Sequence, residues 1–386
     1  MIRHLQLLQA RDELRRKGPV SQWPLLWSSY GLLPAEKDWL VHEDAYRAKW
    51  PLLMDQPHFA PPPAANAEQA SSQATALWRG QWLSRLVPTA EWSALDLSAG
   101  SGIDSWGMEA AGARVTSVEP DSYLAELLRW NGAPHGRHVV QGLAEAQQFA
   151  PDQFDVVYVD PSRRSSRGRL PLSDLGSPNP LAHLSTWQQW AAHVVLKLSP
   201  MLDAEQAARW FPGAESLTYL SSQREVKELV VHLPRTRTAP LLVHAVSVDE
   251  GGHELMRWTR DPSATAERAS SVGAYLYDPD SVLVASRGTA SWAAHYGLKG
   301  LHPDSRLFTA GELREVPGCR IFNVEAVHTR VPTHLTEASV LSRAFPERAD
   351  VLRKRLRLGE SSERFLVATR LSSPAGYLYL EATRIA

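Results

Sequence analysis

The chain has 386 residues with 41 basic and 42 acidic side chains, a formal net charge of −1, so no overall field draws it to a polyanion. Any such site must be a local patch. Hydrophobic residues make up 44%, which excludes wholesale disorder, and the length allows two or three domains. The single cysteine, Cys319, excludes an intramolecular disulfide framework and a cysteine-rich metal site, so no metal is expected. The amino terminus lacks the uninterrupted apolar core of a signal peptide, and no apolar run is long enough to span a bilayer. A cytoplasmic protein without a membrane partner is the expectation.

Residues 1–88 read as a helical region, broken at Pro24, Pro34, Pro51 and Pro57. It carries Trp23, Trp27, Trp39, Trp50, Trp78 and Trp82. These indoles either pack the helices onto the next domain or stack on bases of a substrate, and packing is favoured. After a stiff connector at Pro61, Pro62 and Pro63, a serine at 71 or 72 is placed to cap a helix running to Leu86. Cofactor contact is the other role open to it.

Residues 89–262 alternate strand and helix in the manner of a doubly wound parallel sheet. Seven strands are expected, near 93–97, 114–118, 138–140, 154–159, 193–198, 216–220 and 241–248, the last as the closing edge. A helix is expected over 121–131, and another starting at Glu225, whose Glu228 is a candidate for lining the pocket. The organising stretch runs from Leu95 to Asp104: a strand ending at Asp96, then a turn with Ser98, Gly100 and Gly102, then a helix. The two glycines would let backbone approach a ligand closely. Glu119 and Asp160, followed by Pro161, end the next candidate strands. Three strand-end carboxylates at these intervals suit a nucleoside pocket, with Glu119 accepting from a ribose diol. A dinucleotide site is the rival, but Ser105 stands where a third glycine would, and an acid at the strand end repels a pyrophosphate. S-adenosylmethionine (SAM), with its cationic amino group and sulfonium, suits that acid. Ala144 and Glu145 would lie along the adenine.

Past Pro161, Arg163, Arg164, Arg167 and Arg169 either clamp nucleic-acid phosphates or make ordinary surface contacts. Lys197 sits inside an apolar strand, where an unpaired charge is costly, so it should face a cleft or an acid, with Asp160 its neighbour. The stretch 261–272 reads as a linker. A small α+β module is expected over 273–328 and a second over 330–386, the latter with a basic helix and a hairpin across 372–376. From 330 to 386 there are ten Lys/Arg against six Asp/Glu, and Arg353, Lys354 and Arg355 fall in the helix, which favours RNA as partner.

Together these motifs resemble class I SAM-dependent methyltransferases carrying a carboxy-terminal THUMP-like domain. The resemblance rests on the turn from Asp96 to Asp104, on Asp160-Pro161 with Arg163 and Arg164, and on Lys197 to Asp203. Tyr275 to Pro279 and the tail from Phe345 complete it. It covers nearly the whole chain. It implies a Rossmann-like methyltransferase domain at 89–262, a ferredoxin-like module at 273–328, a THUMP-like domain at 330–386, and SAM as cofactor. Because THUMP domains accompany RNA-modifying enzymes, it points to tRNA or rRNA. Enzymes that methylate base amino groups usually carry a second proline and an aromatic after the strand-end Asp/Asn-Pro, and here Ser162 and Arg163 stand there.

The expected activity is methyl transfer to RNA. Asp96, Ser98, Gly100, Gly102, Glu119, Ala144 and Glu145 would hold SAM, and Asp160, Pro161 and Lys197 would serve the reaction. Arg163, Arg164, Arg353, Lys354 and Arg355 would hold the acceptor. The alternatives are a non-catalytic RNA-binding protein on the same scaffold, and a protein or small-molecule methyltransferase.

Overall fold

Nine strands build the first sheet of the computed structural model: β1 (Trp92–Asp96), β2 (Ala113–Glu119), β3 (His138–Gln141), β4 (Phe154–Val159), β7 (Ala191–Leu198), β8 (Ser216–Ser222), β9 (Glu225–Pro234), β10 (Leu242–Val248) and β11 (Glu254–Thr259). Their order is β11-β10-β8-β9-β7-β4-β1-β2-β3. Between β4 and β7, β5 (Arg164–Ser165) and β6 (Gly168–Arg169) make a separate small hairpin. The structure describes residues 2–385 except 19, 26, 33, 88, 166, 167, 170, 172 and 173. Only the backbone is described at 2–8, 20, 21, 25, 28, 34–36, 164, 165, 168 and 169.

β1, β2, β3, β4 and β7 are parallel, as expected, and β9 enters antiparallel between β7 and β8. The expected helix at Glu225 is therefore a ten-residue strand. Its charged start sits at the hairpin end, and Leu229–Leu233 is buried on both faces of the sheet. The seven-strand expectation also missed β11, which replaces β10 as the edge. Within β11 only Met256 is buried, so the strand carries little of the apolar alternation that marks one in sequence.

Helices α6 (Ile103–Ala110), α7 (Ser122–Gly132), α8 (Pro180–Trp190) and α9 (Ala204–Trp210) cover this sheet. Asp121 caps α7, accepting from the Leu124 N–H at 3.0 Å, where the sequence placed a helix start. Before them run α1 (Ile2–Lys17), α2 (Pro34–Lys49), α3 (Pro51–Met54), α4 (Ala64–Gln69) and α5 (Gln73–Ser84). Trp23, Trp39 and Trp50 are buried in a cluster of their own, while Trp78 and Trp82 pack under the sheet. Packing is what these five indoles do, and Trp27 is half-buried against the first cluster. Ser72 caps α5, accepting from the Thr75 N–H at 3.3 Å. Helices α5 and α6 cross closely: a Cβ at Gly80 would fall 1.9 Å from the Gly107 carbonyl oxygen, and one at Gly107 2.3 Å from that of Ala76. Only glycines permit this approach. It brings the helical region against the turn that follows β1.

Residues 261–272 contain no helix or strand, yet they pair with the next unit through hydrogen bonds between Ala269 and Gly300 and between Gly300 and Glu267. There, β12 (Tyr275–Pro279), α10 (Ser281–Ala285), α11 (Thr289–His295), β13 (Lys299–Gly300), β14 (Phe308–Ala310), β15 (Cys319–His328), β16 (Ser339–Ser342), α12 (Ala349–Leu356), β17 (Arg364–Ser372) and β18 (Ala375–Arg384) follow. The strands form one seven-stranded sheet, β13-β14-β12-β15-β18-β17-β16. β15 pairs with both β12 and β18, so the sheet runs unbroken across the boundary at 328–330 where two separate modules were expected. The expected hairpin is present, with Ser372 opposite Ala375. Among the described residues, no helix is long and apolar enough to cross a membrane.

Candidate functional site

A cavity of about 560 Å³ opens over the carboxyl ends of β1, β2, β4 and β7. On one side of β1 lies β2 and on the other β4, so the chain changes direction here, and a doubly wound sheet leaves a crevice at that point. Of the residues singled out in the sequence, Ser98, Gly100, Glu119, Ala144, Glu145, Asp160, Pro161, Arg163 and Lys197 line the cavity. Asp96 and Gly102 do not.

Asp96 is fully buried. Its carboxylate accepts from the Ser105 hydroxyl at 2.7 Å and the Ser98 N–H at 3.2 Å. Burial pushes its pKa up to about 7. Asp96 therefore shapes the turn from below and does not reach the cavity. The glycines differ too. Gly100 has φ +52°, and a Cβ there would meet only the Ser98 carbonyl, at 3.9 Å, so the side facing the cavity is open. Gly102, at φ +79°, is required by packing behind the turn, where a Cβ would lie 2.5 Å from Leu128 and 2.7 Å from the Arg137 guanidinium. Arg137 is itself locked to Glu109 by two hydrogen bonds of 2.7 and 2.6 Å.

Glu119 is buried and accepts from the Gly100 N–H and the Asp121 N–H, each at 2.9 Å. Burial raises its pKa and these two bonds oppose the rise. Each oxygen of a carboxylate takes two donors, so one acceptor site per oxygen is left. Leu124, Leu143 and Ala144 form an apolar wall, and Glu145 accepts from the Ser177 hydroxyl at 2.7 Å.

At the other end of the cavity, charged groups from five segments converge. Lys197 Nζ lies 2.5 Å from Asp160, 2.9 Å from the Ser71 hydroxyl and 3.7 Å from Asp104. Arg79, on α5, pairs with both Asp104 and Glu228 and donates to Ser71 at 3.0 Å. The Tyr158 hydroxyl donates to Asp104 at 2.9 Å. Burial opposes ionisation of Asp104, but Arg79 and then Lys197 outweigh it and hold that carboxyl well below the usual range. Burial likewise opposes the Lys197 charge, and Asp160, Asp104 and Glu228 overcome it, so the ammonium titrates above the ordinary lysine value. Asp160 is pushed up by burial and pulled back by Lys197. Within this cluster two cations thus face three carboxylates, while Arg163 and Lys227 stand elsewhere on the cavity wall.

Asp160 is further fixed by its backbone N–H, which donates to Ser98 Oγ at 2.6 Å. Asn66, Gln69 and Ser71 line the cavity from the helical region, and Lys227 from β9. Arg79, Asp104, Asn66, Gln69 and Lys227 were missed as site residues. A lone arginine between Trp78 and Gly80 in an apolar helix is the one sequence signal that marked Arg79. Glu228, expected as a lining candidate on a helix, instead pairs with Arg79 from a strand. The side chains of Arg164 and Arg169, and all of Arg167, lie outside the described residues. Arg353, Lys354 and Arg355 sit on α12, away from the cavity lining, where Arg353 pairs with Glu360 and Arg355 with Glu347 at 2.8 and 2.9 Å.

A family described as "THUMP domain-like" matches residues 319–381, the segment from the start of β15 into β18. No curated protein matches the chain. Among solved structures, a candidate methyltransferase from Porphyromonas gingivalis W83 is 21% identical, covers 98% of both chains and superposes with a TM-score of 0.80. A candidate RNA methyltransferase from Pyrococcus horikoshii is 18% identical over 47% of this chain and 92% of its own, at TM-score 0.33. A candidate class I SAM-dependent methyltransferase from Listeria monocytogenes is 12% identical over 61% and 83%, at 0.36. The first of these shows that this chain has, end to end, the fold of the Porphyromonas protein.

Proposed function

We propose that the protein is a SAM-dependent methyltransferase whose acceptor is RNA, a base of tRNA or rRNA. The observation that carries the cofactor is the polarity of the cavity. At one end is Glu119, with acceptor capacity to spare beside the open Gly100 turn and an apolar wall. At the other is an ionic cluster one negative charge in excess. A nucleoside with a cationic tail fits that polarity, and a dinucleotide pyrophosphate does not. The volume falls within the usual range of small-molecule sites.

Bound SAM would supply a methyl group already activated by its sulfonium. The protein's task is then alignment. Glu119 would accept from the ribose hydroxyls, and Leu124, Leu143 and Ala144 would flank the adenine. Asp104 and Asp160 favour the cationic end, and Lys197 holds Asp160 in one orientation. Asp160 would accept a hydrogen bond from the acceptor group as it is methylated. The flat apolar faces among the described lining residues are prolines 120, 161, 178 and 200, so an acceptor ring would be gripped by pyrrolidine faces. The THUMP domain-like match supports RNA, because a target base in a duplex must be unpaired or flipped and a second domain can hold the strand meanwhile. A cytoplasmic location belongs to this reading.

Tritium transfer from labelled SAM to bulk RNA of a strain lacking the gene tests it, followed by mass spectrometry of the nucleosides. Label in RNA, in one nucleoside, is the expected result. Label only in protein or small molecules overturns the RNA half.

A further inference from the structure

Three guanidinium groups from three separate elements meet at one carboxylate where the two sheets join. Asp278, on β12, is 4% exposed. Arg224, in the β8–β9 turn, donates to its carboxylate at 3.0 Å and to the carbonyls of Asp278 and Pro279 at 3.2 and 3.0 Å. Arg320, on β15, donates to the same carboxylate oxygen through Nε at 3.1 Å and Nη2 at 2.6 Å. Arg343, just after β16, lies 3.7 Å from the other oxygen. The neighbouring Asp280 is buried and engaged by the Ser221 hydroxyl at 2.9 Å and the Val282 N–H at 3.0 Å. Three cations therefore face two carboxylates. The acids are inside, and the arginine side chains remain 33%, 21% and 44% exposed. Arg224 Nε and Nη1, Arg320 Nη1 and Arg343 Nε have no hydrogen bond among the described residues. Two guanidinium groups would already satisfy Asp278. The third leaves one positive charge and a fan of donors turned to solvent, the complement of a phosphate.

The place matters as much as the charge. The β8–β9 turn is at the same sheet edge as the cavity, and Lys227, three residues beyond Arg224, lines that cavity. At strand spacing this is about 10 Å. Arg320 and Arg343 both lie in the segment matched as THUMP domain-like. We propose that this junction holds a backbone phosphate of the RNA acceptor, fixing the strand whose target nucleotide enters the cavity. The proposal rests on the RNA reading above.

The test is binding of fluorescently labelled bulk tRNA to the full-length protein, followed by anisotropy across a salt series. Wild type is compared with Arg343→Gln, Arg320→Gln, the double variant, and Arg237→Gln in the exposed β9–β10 loop at the opposite end of the sheet. Each junction variant should bind roughly tenfold more weakly. Each should also flatten the dependence of log affinity on log salt by about 0.7 to 0.9. Arg237→Gln should change neither. Arg343→Gln should melt like wild type, because Arg224 and Arg320 still hold Asp278. Wild-type tRNA binding with unchanged affinity and slope in both single variants and in the double overturns the junction, leaves RNA as acceptor, and makes the arginines an inter-sheet clamp only. Wild type that binds no tRNA at low salt overturns both.

Discussion

The cavity cluster and the junction cluster are built from the same materials to opposite ends. In the first, Arg79 and Lys197 face Asp104, Glu228 and Asp160, nearly all buried, and the surplus is one negative charge. In the second, Arg224, Arg320 and Arg343 face Asp278 and Asp280, and the surplus is one positive charge held in arginines that reach solvent. A balanced buried pair only positions its members. An excess charge, kept where a ligand can reach it, is a statement about that ligand, and the two surpluses suit a sulfonium and a phosphate respectively.

The comparison breaks most visibly at Arg79. Arg79→Met should cost roughly 3–5 kcal/mol of stability, because Asp104 and Glu228 are left buried without their partner. Chemical denaturation measures it. If stability fell by less than 1 kcal/mol, the dry, interlocked picture of the cavity cluster would be wrong. Asp160→Asn should lower the rate of methyl transfer at saturating SAM about 100-fold, since it acts on the acceptor, and should weaken SAM binding about tenfold, since it removes the surplus negative charge of the cluster. Single-turnover rates beside calorimetry separate the two. Weakened affinity with an unchanged saturated rate would confine Asp160 to the cofactor site.

Much of this cavity was legible in the chain. Strand-end placement put Asp160 beside Lys197 and Glu119 beside the glycine turn, because in a parallel sheet the carboxyl ends of neighbouring strands share one edge. Asp96 was misread for the same reason. Sitting at a strand end does not say whether a side chain points up into the crevice or under the turn, and Ser105, nine residues on in the first turn of α6, claims it. Beyond a lone charge in an apolar helix, nothing local ties Arg79 to the site, because it arrives through a helix crossing at Gly80 and Gly107, a contact between distant segments. The strand β9 was taken for a helix because its first five residues carry three charges, and the register that buries Leu229–Leu233 is set by β7 and β8. The junction rests on the same hairpin, whose turn brings Arg224 to residues more than fifty positions later.

Smaller effects sharpen the contrast between turn and cavity. Gly102→Ala should destabilise the fold by about 1–3 kcal/mol through its left-handed backbone and the Leu128–Arg137 wall. Gly100→Ala should weaken SAM binding more than it weakens the fold, because the space behind it is open. Thermal melts and calorimetry on both variants check the division. Equal losses in both readouts would merge the two roles. Asp96 gives a signature in pH instead. Its folded pKa of about 7 lies above the unfolded value near 4, so the folded state holds the proton more tightly. Its contribution to stability is full below pH 4 and is lost as the pH rises through 7. In Asp96→Asn that slope should flatten between about pH 4 and 7. An unchanged slope would mean that Asp96 ionises freely beneath the turn.

Calorimetric titration of the full-length protein with SAM, repeated on Glu119→Ala, tests the central claim most directly. One site per chain is predicted, with affinity reduced about tenfold or more in the variant through the loss of a charged hydrogen-bond acceptor. No heat of binding at millimolar SAM, or equal affinity in the two proteins, would contradict it.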